Sequence, residues 1–286
     1  MKFSIITPSY NSEKYISETI ESVLSQKGNF EIEYIIMDGG SEDSTVEIIK
    51  KYEEKLKNGC WEIKCNSISF SWFSEKDKGM YDAINKGFAK ATGDVYAWIN
   101  SDDFYLPGAF EAINKSLTKY PEIQWIKGVT SLANKDSIIH DVVWCYLYNQ
   151  AWIKKGVYGR SAYFIQQDSV FWKKELWEKT DGIDNNLKLA GDYYLWTRLA
   201  EYAPLYSLKA YISCFRKSGE KQLSNDVKKY REEQNKISPV ISKEEKLIKK
   251  FFSLFSRSPL SFYVIFYFIY SILFPNQNLK IIEFKK

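Results

Sequence analysis

The 286-residue sequence predicts an α/β fold: a mostly parallel sheet flanked by helices, followed by a helical, basic and aromatic C-terminal tail. Three observations lead there. Short apolar runs alternate with amphipathic helical stripes through the N-terminal third, and acidic residues stand directly after those runs. The composition, 45% hydrophobic and 27% charged, fits a globular chain and excludes both a disordered polymer and a multi-span transporter. Aromatic residues reach 17%, material for a core or for clefts that take sugars and nucleobases.

Phe3 to Thr7 reads as the first strand. Ile16, Ile20, Val23 and Leu24 then recur at helical spacing. Tyr34 to Met37 is a second apolar run closed by Asp38, and Gly39-Gly40-Ser41 leads into a helix carrying Val46, Ile48, Ile49 and Tyr52. Phe70 to Phe73 is the third strand. Tyr81 to Ala91 is a helix with Tyr81, Ile84, Phe88 and Ala91 on one side, and Val95 to Ile99 is a fourth, buried strand. In open sheets with this βαβ rhythm, ligands bind beyond the carboxyl ends of the strands near a topological switch point. Asp38, Asp77, Asp102 and Asp103 fall there. Carboxylates gathered at one edge repel one another unless cations or donors share the site, which points to a divalent metal or a donor-rich ligand. Asx turns and helix caps also use acids after strands, so a purely local role stands beside that reading.

Past residue 104 the pattern loosens, although Leu195, Trp196 and Leu199 mark a helix with Asp192 near its start. The single histidine, His140, removes His-based zinc sites and Ser/His or Cys/His nucleophile systems. Cys60, Cys65, Cys145 and Cys214 form no CxxC pair and are too sparse for a disulfide scaffold, so they are expected to be reduced. The chain enters its first strand straight after Met1 and Lys2, too soon for a signal-peptide core, so the body is expected to stay in the cytoplasm.

Charge divides the chain into a body, 1–215, and a tail, 216–286. The tail carries 15 Lys/Arg against 7 Asp/Glu, a net of +8, and the body 25 against 29, a net of −4. Leu247, Phe251, Phe252, Leu254 and Phe255 interleave with Lys249, Lys250 and Arg257, and an apolar block, Phe262 to Phe274, follows. As a helix, the segment 259–274 extends roughly 24 Å at ~1.5 Å per residue, short of the ~30 Å hydrocarbon core. Tyrosines and lysines at its ends favour a place at the membrane interface, with a buried core helix or a dimer interface as the other reading. The expected partner of the tail is therefore an anionic membrane surface and not nucleic acid.

Ser4-Ile5-Ile6-Thr7-Pro8-Ser9-Tyr10-Asn11, then Asp38-Gly39-Gly40-Ser41-Glu42-Asp43-Ser44-Thr45, then Asn100-Ser101-Asp102-Asp103 resemble the successive signatures of family 2 glycosyltransferases, inverting enzymes of GT-A fold. The block Ser74 to Gly87 is similar to one in members that build bacterial surface polysaccharides such as O-antigen and capsule. The likeness is close over about 1–110 and looser to about 215. It implies a nucleotide-sugar-binding half over 1–110 and an acceptor-binding half over 111–215.

That resemblance also implies roles. Thr7, Pro8, Ser9, Tyr10 and Asn11 would wrap the nucleotide, and Asp38 would accept from a uracil ring. Asp77 and Lys78 would lie beside base and diphosphate, with Asn85, Asn100, Ser101 and Gln167 as further donor contacts. Asp102, with Asp103 beside it, would hold Mn²⁺ or Mg²⁺, hard cations that take oxygen ligands. The first acid of the DxD-type motif is here Asn100, which leaves that position neutral. Asp192 would be the general base, the one carboxylate that an inverting transfer needs on the acceptor side. Gly191 stands where a second acid is common, and Trp172 and Trp196 suit core packing better than a sugar platform. The implied activity is transfer of a hexose or N-acetylhexosamine from a UDP-sugar to a polyprenyl-diphosphate-linked glycan at the inner face of the membrane. A silent sugar-binding scaffold of the same fold is the alternative. A nucleotidyltransferase would need a basic, glycine-rich triphosphate loop, which the N-terminus lacks.

Overall fold

A computed structural model of the chain describes residues 1–143, 147–159, 164–217, 219, 226–238 and 281–282. The first elements are β1 (Lys2–Ser9), α1 (Ile16–Leu24), β2 (Glu31–Asp38), α2 (Thr45–Lys57), β3 (Ser67–Ser74), α3 (Met80–Lys90) and β4 (Val95–Trp98). Next come β5 (Phe104–Tyr105), α4 (Ala109–Lys119), β6 (Trp125–Asn134), β7 (Ile139–Val143) and α5 (Gln150–Lys154). A 3-10 turn over Gln167–Ser169 leads into β8 (Val170–Lys173), α6 (Lys174–Trp177), α7 (Gly191–Tyr202), β9 (Leu205–Lys217), α8 (Val227–Ile237) and β10 (Ile281–Ile282).

These strands form one sheet in the order β10-β9-β6-β8-β4-β1-β2-β3, with β5 and β7 pairing β9 and β6 off that path. The N-terminal half is parallel as expected. β1 pairs β2 on one side and β4 on the other, and β2 pairs β3. The expectation of a mostly parallel sheet is corrected beyond β4, where the sheet is mixed: β8 runs antiparallel to both β4 and β6, β5 and β7 are antiparallel to their partners, and β9 is parallel to β6 and to β10. Parallel neighbours need a crossover between them, and the regular strand–helix alternation that supplies one after every strand stops at β4.

β1, β2 and β4 bury both faces, which is why they read as near-continuous apolar runs. Phe3, Ile5, Tyr34 and Ile36 face one core with α1, α2 and α4, whereas Ile6, Ile35 and Met37 face a second with α3 and α7. The second core is floored by indoles. Trp98 stacks on Trp196 at 5.8 Å, Trp196 on Trp125 at 5.9 Å, and Trp172 on Trp177 at 6.1 Å. Trp172 and Trp196 are thus core, as their flanking pattern favoured.

Polar bolts fix the layers. The buried Glu33 carboxylate of β2 accepts from Ser4 Oγ at 2.5 Å, Lys2 Nζ at 3.1 Å, and the Thr92 amide and hydroxyl at 2.7 and 2.6 Å. It therefore ties β1, β2 and the α3–β4 turn together. The chain also departs from the expected boundary at 215. Arg216 is fully buried within β9, α8 packs back on the body, and β10 adds to the β9 edge. The segment 259–274 and the basic residues ahead of it lie outside the described residues. Among the described residues no helix is long and apolar enough to cross a membrane.

Burial alone would raise the Glu33 pKa, but its hydrogen bonds outweigh burial and lower it from the ordinary 4.5 to about 2. A lowered folded-state value contributes stability above pH 4.5, lost as pH falls through about 2. Glu33→Gln is expected to lower the melting temperature at pH 7 by about 4 °C or more, with the gap from wild type closing as pH is lowered through that window, as read by thermal unfolding.

Candidate active site

The carboxyl ends of β1, β2 and β3 lie in register, Ser9 opposite Asp38 and Asp38 opposite Ser74. β1 is followed in space by β2 on one side and β4 on the other, so the crevice between β1 and β4 is a topological switch point. Asp38 organises the rim. Its buried carboxylate accepts from Ser9 Oγ at 3.3 Å, Ser41 Oγ at 2.5 Å, Ser74 Oγ at 2.7 Å, and the Gly40 and Ser41 amides at 3.1 and 2.9 Å. Asp77 reaches the same turn, since a Cβ at Gly39 would lie 2.8 Å from its Oδ2. Asp77 Oδ1 also accepts the Gly79 amide at 2.7 Å where α3 begins, and Lys78 next to it is exposed.

The Thr7–Asn11 stretch divides by direction. Thr7 and Pro8 are buried, and the Thr7 hydroxyl pairs with Tyr34 Oη at 3.0 Å. The Tyr10 ring stands 60% exposed over the crevice edge. Asn11 takes a left-handed backbone, φ 47°, which Asn tolerates, and accepts the Glu42 amide at 2.9 Å. Tyr10 is therefore the flat surface this stretch offers to a ligand, and the remainder shapes the turn.

Beyond β4 the Asn100–Asp103 loop splits its two acids. Asp102 is half-buried at the rim, whereas Asp103 is fully buried and accepts the Arg216 amide at 2.8 Å. Burial, with Asp102 and Asp168 close by, pushes the Asp103 carboxyl well above the usual carboxylate range. The expectation that Asp103 holds a metal is corrected: it points into the fold, where its bond to β9 anchors the loop. Ser101 pairs with Ser12 Oγ at 2.7 Å and so locks this loop to the start of α1. Asn85 and Gln167, expected as donor contacts, are likewise structural. Asn85 holds Ile183 and Asn185 at 2.6 and 2.7 Å, and buried Gln167 donates to the Trp98 carbonyl at 2.5 Å.

A hard cation at this rim would find Asp102 and, in the same loop, Asn100, whose Nδ2 donates to the buried Asp103 at 3.4 Å and whose buried Oδ1 has no hydrogen-bond partner among the described residues. An orphaned amide oxygen and a half-buried carboxylate in one loop fit Mn²⁺ or Mg²⁺. No cluster of three acidic, His or Cys side chains forms a metal site by itself among the described residues. The pair therefore suits a cation that draws its other oxygens from a bound diphosphate.

Arg216, which the sequence reading passed over, fixes this loop. Its side chain is fully buried and donates from Nε to the Asp102 carbonyl at 2.7 Å, from Nη1 to Ser137 Oγ at 2.5 Å and from Nη2 to Glu18 Oε2 at 2.5 Å. Its plane stacks over Tyr15 at 4.3 Å.

On the facing side Asp192 lies in the first turn of α7, 8% exposed. Its Oδ1 accepts the Tyr193 amide at 2.7 Å and the Tyr230 hydroxyl at 2.9 Å. Burial raises its pKa from the ordinary 3.8 to about 7, with those two hydrogen bonds holding it from rising further. The segment before Asp192 is tied to the start of α3: Lys188 Nζ donates to the Lys78 carbonyl at 2.5 Å, and Tyr81 Oη to the Leu189 carbonyl at 2.6 Å. Gly191 is required there because a Cβ would meet the Tyr81 ring at 2.6 Å. The fold thus brings Tyr10, Asp38, Asp77, Lys78 and Asp102 to one crevice, with the Asp192 segment bonded to its Lys78 edge.

A GT-A-like α/β protein is what this sheet and crevice define. The chain belongs to glycosyl transferase family 2, whose family model matches residues 4–173. An uncharacterized glycosyltransferase of Rickettsia typhi is 26% identical over 228 residues, 71% of this chain and 60% of that protein. The poly(ribitol-phosphate) β-N-acetylglucosaminyltransferase TarS of Staphylococcus aureus is 34% identical over 105 residues, 36% of this chain but only 17% of TarS. The chain thus spans less than two thirds of these curated relatives. Among solved structures, residues 1–349 of TarS in complex with UDP-GlcNAc superpose with a TM-score of 0.60 at 18% identity, covering 92% of this chain and 77% of that one. A mannosyltransferase of Pyrobaculum calidifontis in complex with GDP-Man and Mn²⁺ superposes at 0.53 and 16% identity, covering 77% and 57%.

Arg216→Lys is expected to lower stability by about 2 kcal/mol, because one ammonium cannot serve Asp102, Ser137 and Glu18 together while Glu18 keeps partial access to water. Thermal unfolding should show a drop of about 5 °C.

Proposed function

We propose that the protein is an inverting glycosyltransferase that moves a hexose or N-acetylhexosamine from a UDP-sugar to a polyprenyl-diphosphate-linked glycan in the assembly of bacterial surface polysaccharide. One observation carries this reading: a strand-end nucleotide crevice with a half-buried carboxylate at Asp102 is coupled through Lys78 and Lys188 to a segment bearing a buried carboxylate of raised pKa. Family membership and the superposition on TarS bound to UDP-GlcNAc support a UDP-sugar donor.

In this mechanism Tyr10 stacks on the base, the Asp38 turn and Asp77 shape the pocket for the nucleoside, and Asp102 with Asn100 holds the cation. A divalent cation, when bound, supplies charge neutralisation for a leaving diphosphate. Asp192 takes the acceptor proton as the hydroxyl oxygen attacks the anomeric carbon from the face opposite the nucleotide. Among the described residues, both hydrogen bonds that others give its carboxylate fall on Oδ1, which leaves Oδ2 for the incoming hydroxyl. A pKa of about 7 matches a base that works near neutrality, since it is ionised often enough to act and basic enough to take the proton. No protonated acid is needed on the donor side, unlike glycoside hydrolysis.

We further propose that the tail holds the enzyme at the cytoplasmic face of the membrane, where Lys249, Lys250 and Arg257 meet anionic headgroups and the aromatic segment enters the interface. A surface-confined acceptor and a surface-confined enzyme raise each other's effective concentration.

UDP release from a panel of UDP-sugars including UDP-GlcNAc is expected to depend on Mn²⁺ or Mg²⁺ and to fall by about 100-fold or more in Asp102→Ala or in EDTA. Equal release in all three conditions would remove the metal-assisted reading. In the full-length chain, reversing Lys249, Lys250 and Arg257 to Glu should weaken co-sedimentation with phosphatidylserine vesicles by about 100-fold. Unchanged sedimentation would place membrane binding elsewhere.

A further inference from the structure

α8 is almost entirely polar. Its sequence, Val227-Lys-Lys-Tyr-Arg-Glu-Glu-Gln-Asn-Lys-Ile237, offers Ile237 to the apolar core and the Tyr230 ring to Phe164, 5.7 Å away, and Gln234 is its one buried side chain. Apolar packing of that extent does not dock a helix by itself, since helices in proteins are held mainly by an apolar face. What docks it is a pair of side chains three residues apart, and therefore on one face. The Glu233 carboxylate accepts the amides of Lys188, Leu189 and Ala190 at 2.9, 2.9 and 2.8 Å. These are three successive backbone donors of the loop ahead of Gly191, where α7 begins, and the last of them, Ala190, is the residue that starts the helix. Tyr230, one turn earlier, donates its hydroxyl to Asp192 Oδ1 at 2.9 Å.

We propose that α8 is part of the active site and that Tyr230 and Glu233 are positioning residues, which hold Asp192 and the amides ahead of it in place for proton transfer from the acceptor. The proposal rests on Asp192 being the base. Glu233 clamps the loop ahead of α7 from another element, so the shape of the segment 188–190 is linked to the docking of α8. Tyr230 fixes the rotation of the carboxylate by occupying Oδ1 alongside the Tyr193 amide, and so turns Oδ2 toward the crevice. Tyr81 from α3 completes the frame by holding the Leu189 carbonyl, and the Tyr193 hydroxyl bonds the Gly156 carbonyl at 2.6 Å.

The charged and titratable groups around Asp192 are Tyr230 and Glu233 from α8, Tyr81 from α3 and Tyr193 on its own helix. They act with opposite signs. A hydroxyl donated to the carboxylate favours its ionised form, so Tyr230→Phe removes a lowering influence. The negative charge of Glu233 disfavours ionisation, so Glu233→Gln removes a raising one. A residue with a merely structural role would alter stability without moving the titration of Asp192 in a direction set by its own chemistry.

The test is a carbon-13 NMR titration of the full chain labelled at aspartate carboxyls, with the Asp192 resonance assigned by its loss in Asp192→Asn. Expected are a wild-type midpoint of about 7, a midpoint about one unit higher in Tyr230→Phe, and a lower one in Glu233→Gln. With UDP-GlcNAc as the probe donor, the acid limb of kcat for UDP release should move with these midpoints while KM for the donor stays within about 2-fold. An Asp192 midpoint in folded Tyr230→Phe equal to wild type overturns the proposal, whatever Glu233→Gln does to stability. Wild-type turnover in Asp192→Asn would overturn the base reading alone, because the Tyr230→Phe shift in the titration would still be seen.

Discussion

Carboxylates gathered at the ends of adjacent parallel strands repel one another, and the site exists because each is given its own fixed donors. Asp38 is held by three serine hydroxyls and two amides, Asp77 by the start of α3, Asp103 by the β9 backbone and Glu233 by three amides. Donors fixed in the fold are preorganised: the arrangement is assembled during folding, and binding has little left to rearrange. Removing one leaves a buried charge without compensation, far costlier than losing a surface contact.

The same logic separates two acids that are neighbours in sequence. Asp102 and Asp103 differ by one position, and the chain's direction sends one to the rim and the other beneath it, where Arg216 of β9 receives it. Arg216 thereby joins the first helix, through Glu18, to the loop after β4 and to a strand near the end of the body. The crevice is built by the N-terminal half, but its loop after β4 is braced from the C-terminal half.

Much of this was legible in the sequence, and what was not has physical causes. β1 to β4 and their helices were visible because a strand buried on both faces is a continuous apolar run and each crossover helix carries its own stripe. The antiparallel turn of the sheet at β8 was not, because pairing of β8 with β4 and β6 is set by contacts remote in sequence. Motif position placed Asp38, Asp77, Asp102 and Asp192 at the site, but a motif specifies residue types and not side-chain direction. That is why Asp103, Asn85 and Gln167 were expected at the ligand and were found bracing loops. That the tail is helical was legible, but the docking of α8 onto the body was not, because its charged sequence reads as a solvated face. The available signal was Tyr230 and Glu233 sharing a face with Gln234, an amide with no reason to be buried on a free helix.

Gly191 carries a consequence for how this lineage can change. Its neighbour Tyr81 presses on the space where a side chain would begin, and that same tyrosine secures the Leu189 carbonyl in front of α7. A second acid beside Asp192 is therefore closed to this chain by a single step: Tyr81 and Ile183 would both have to give way first, and shrinking Tyr81 frees the segment ahead of α7. Positions 81 and 191 are thus coupled by contact although they stand more than a hundred residues apart, and a substitution at one is tolerated only after change at the other.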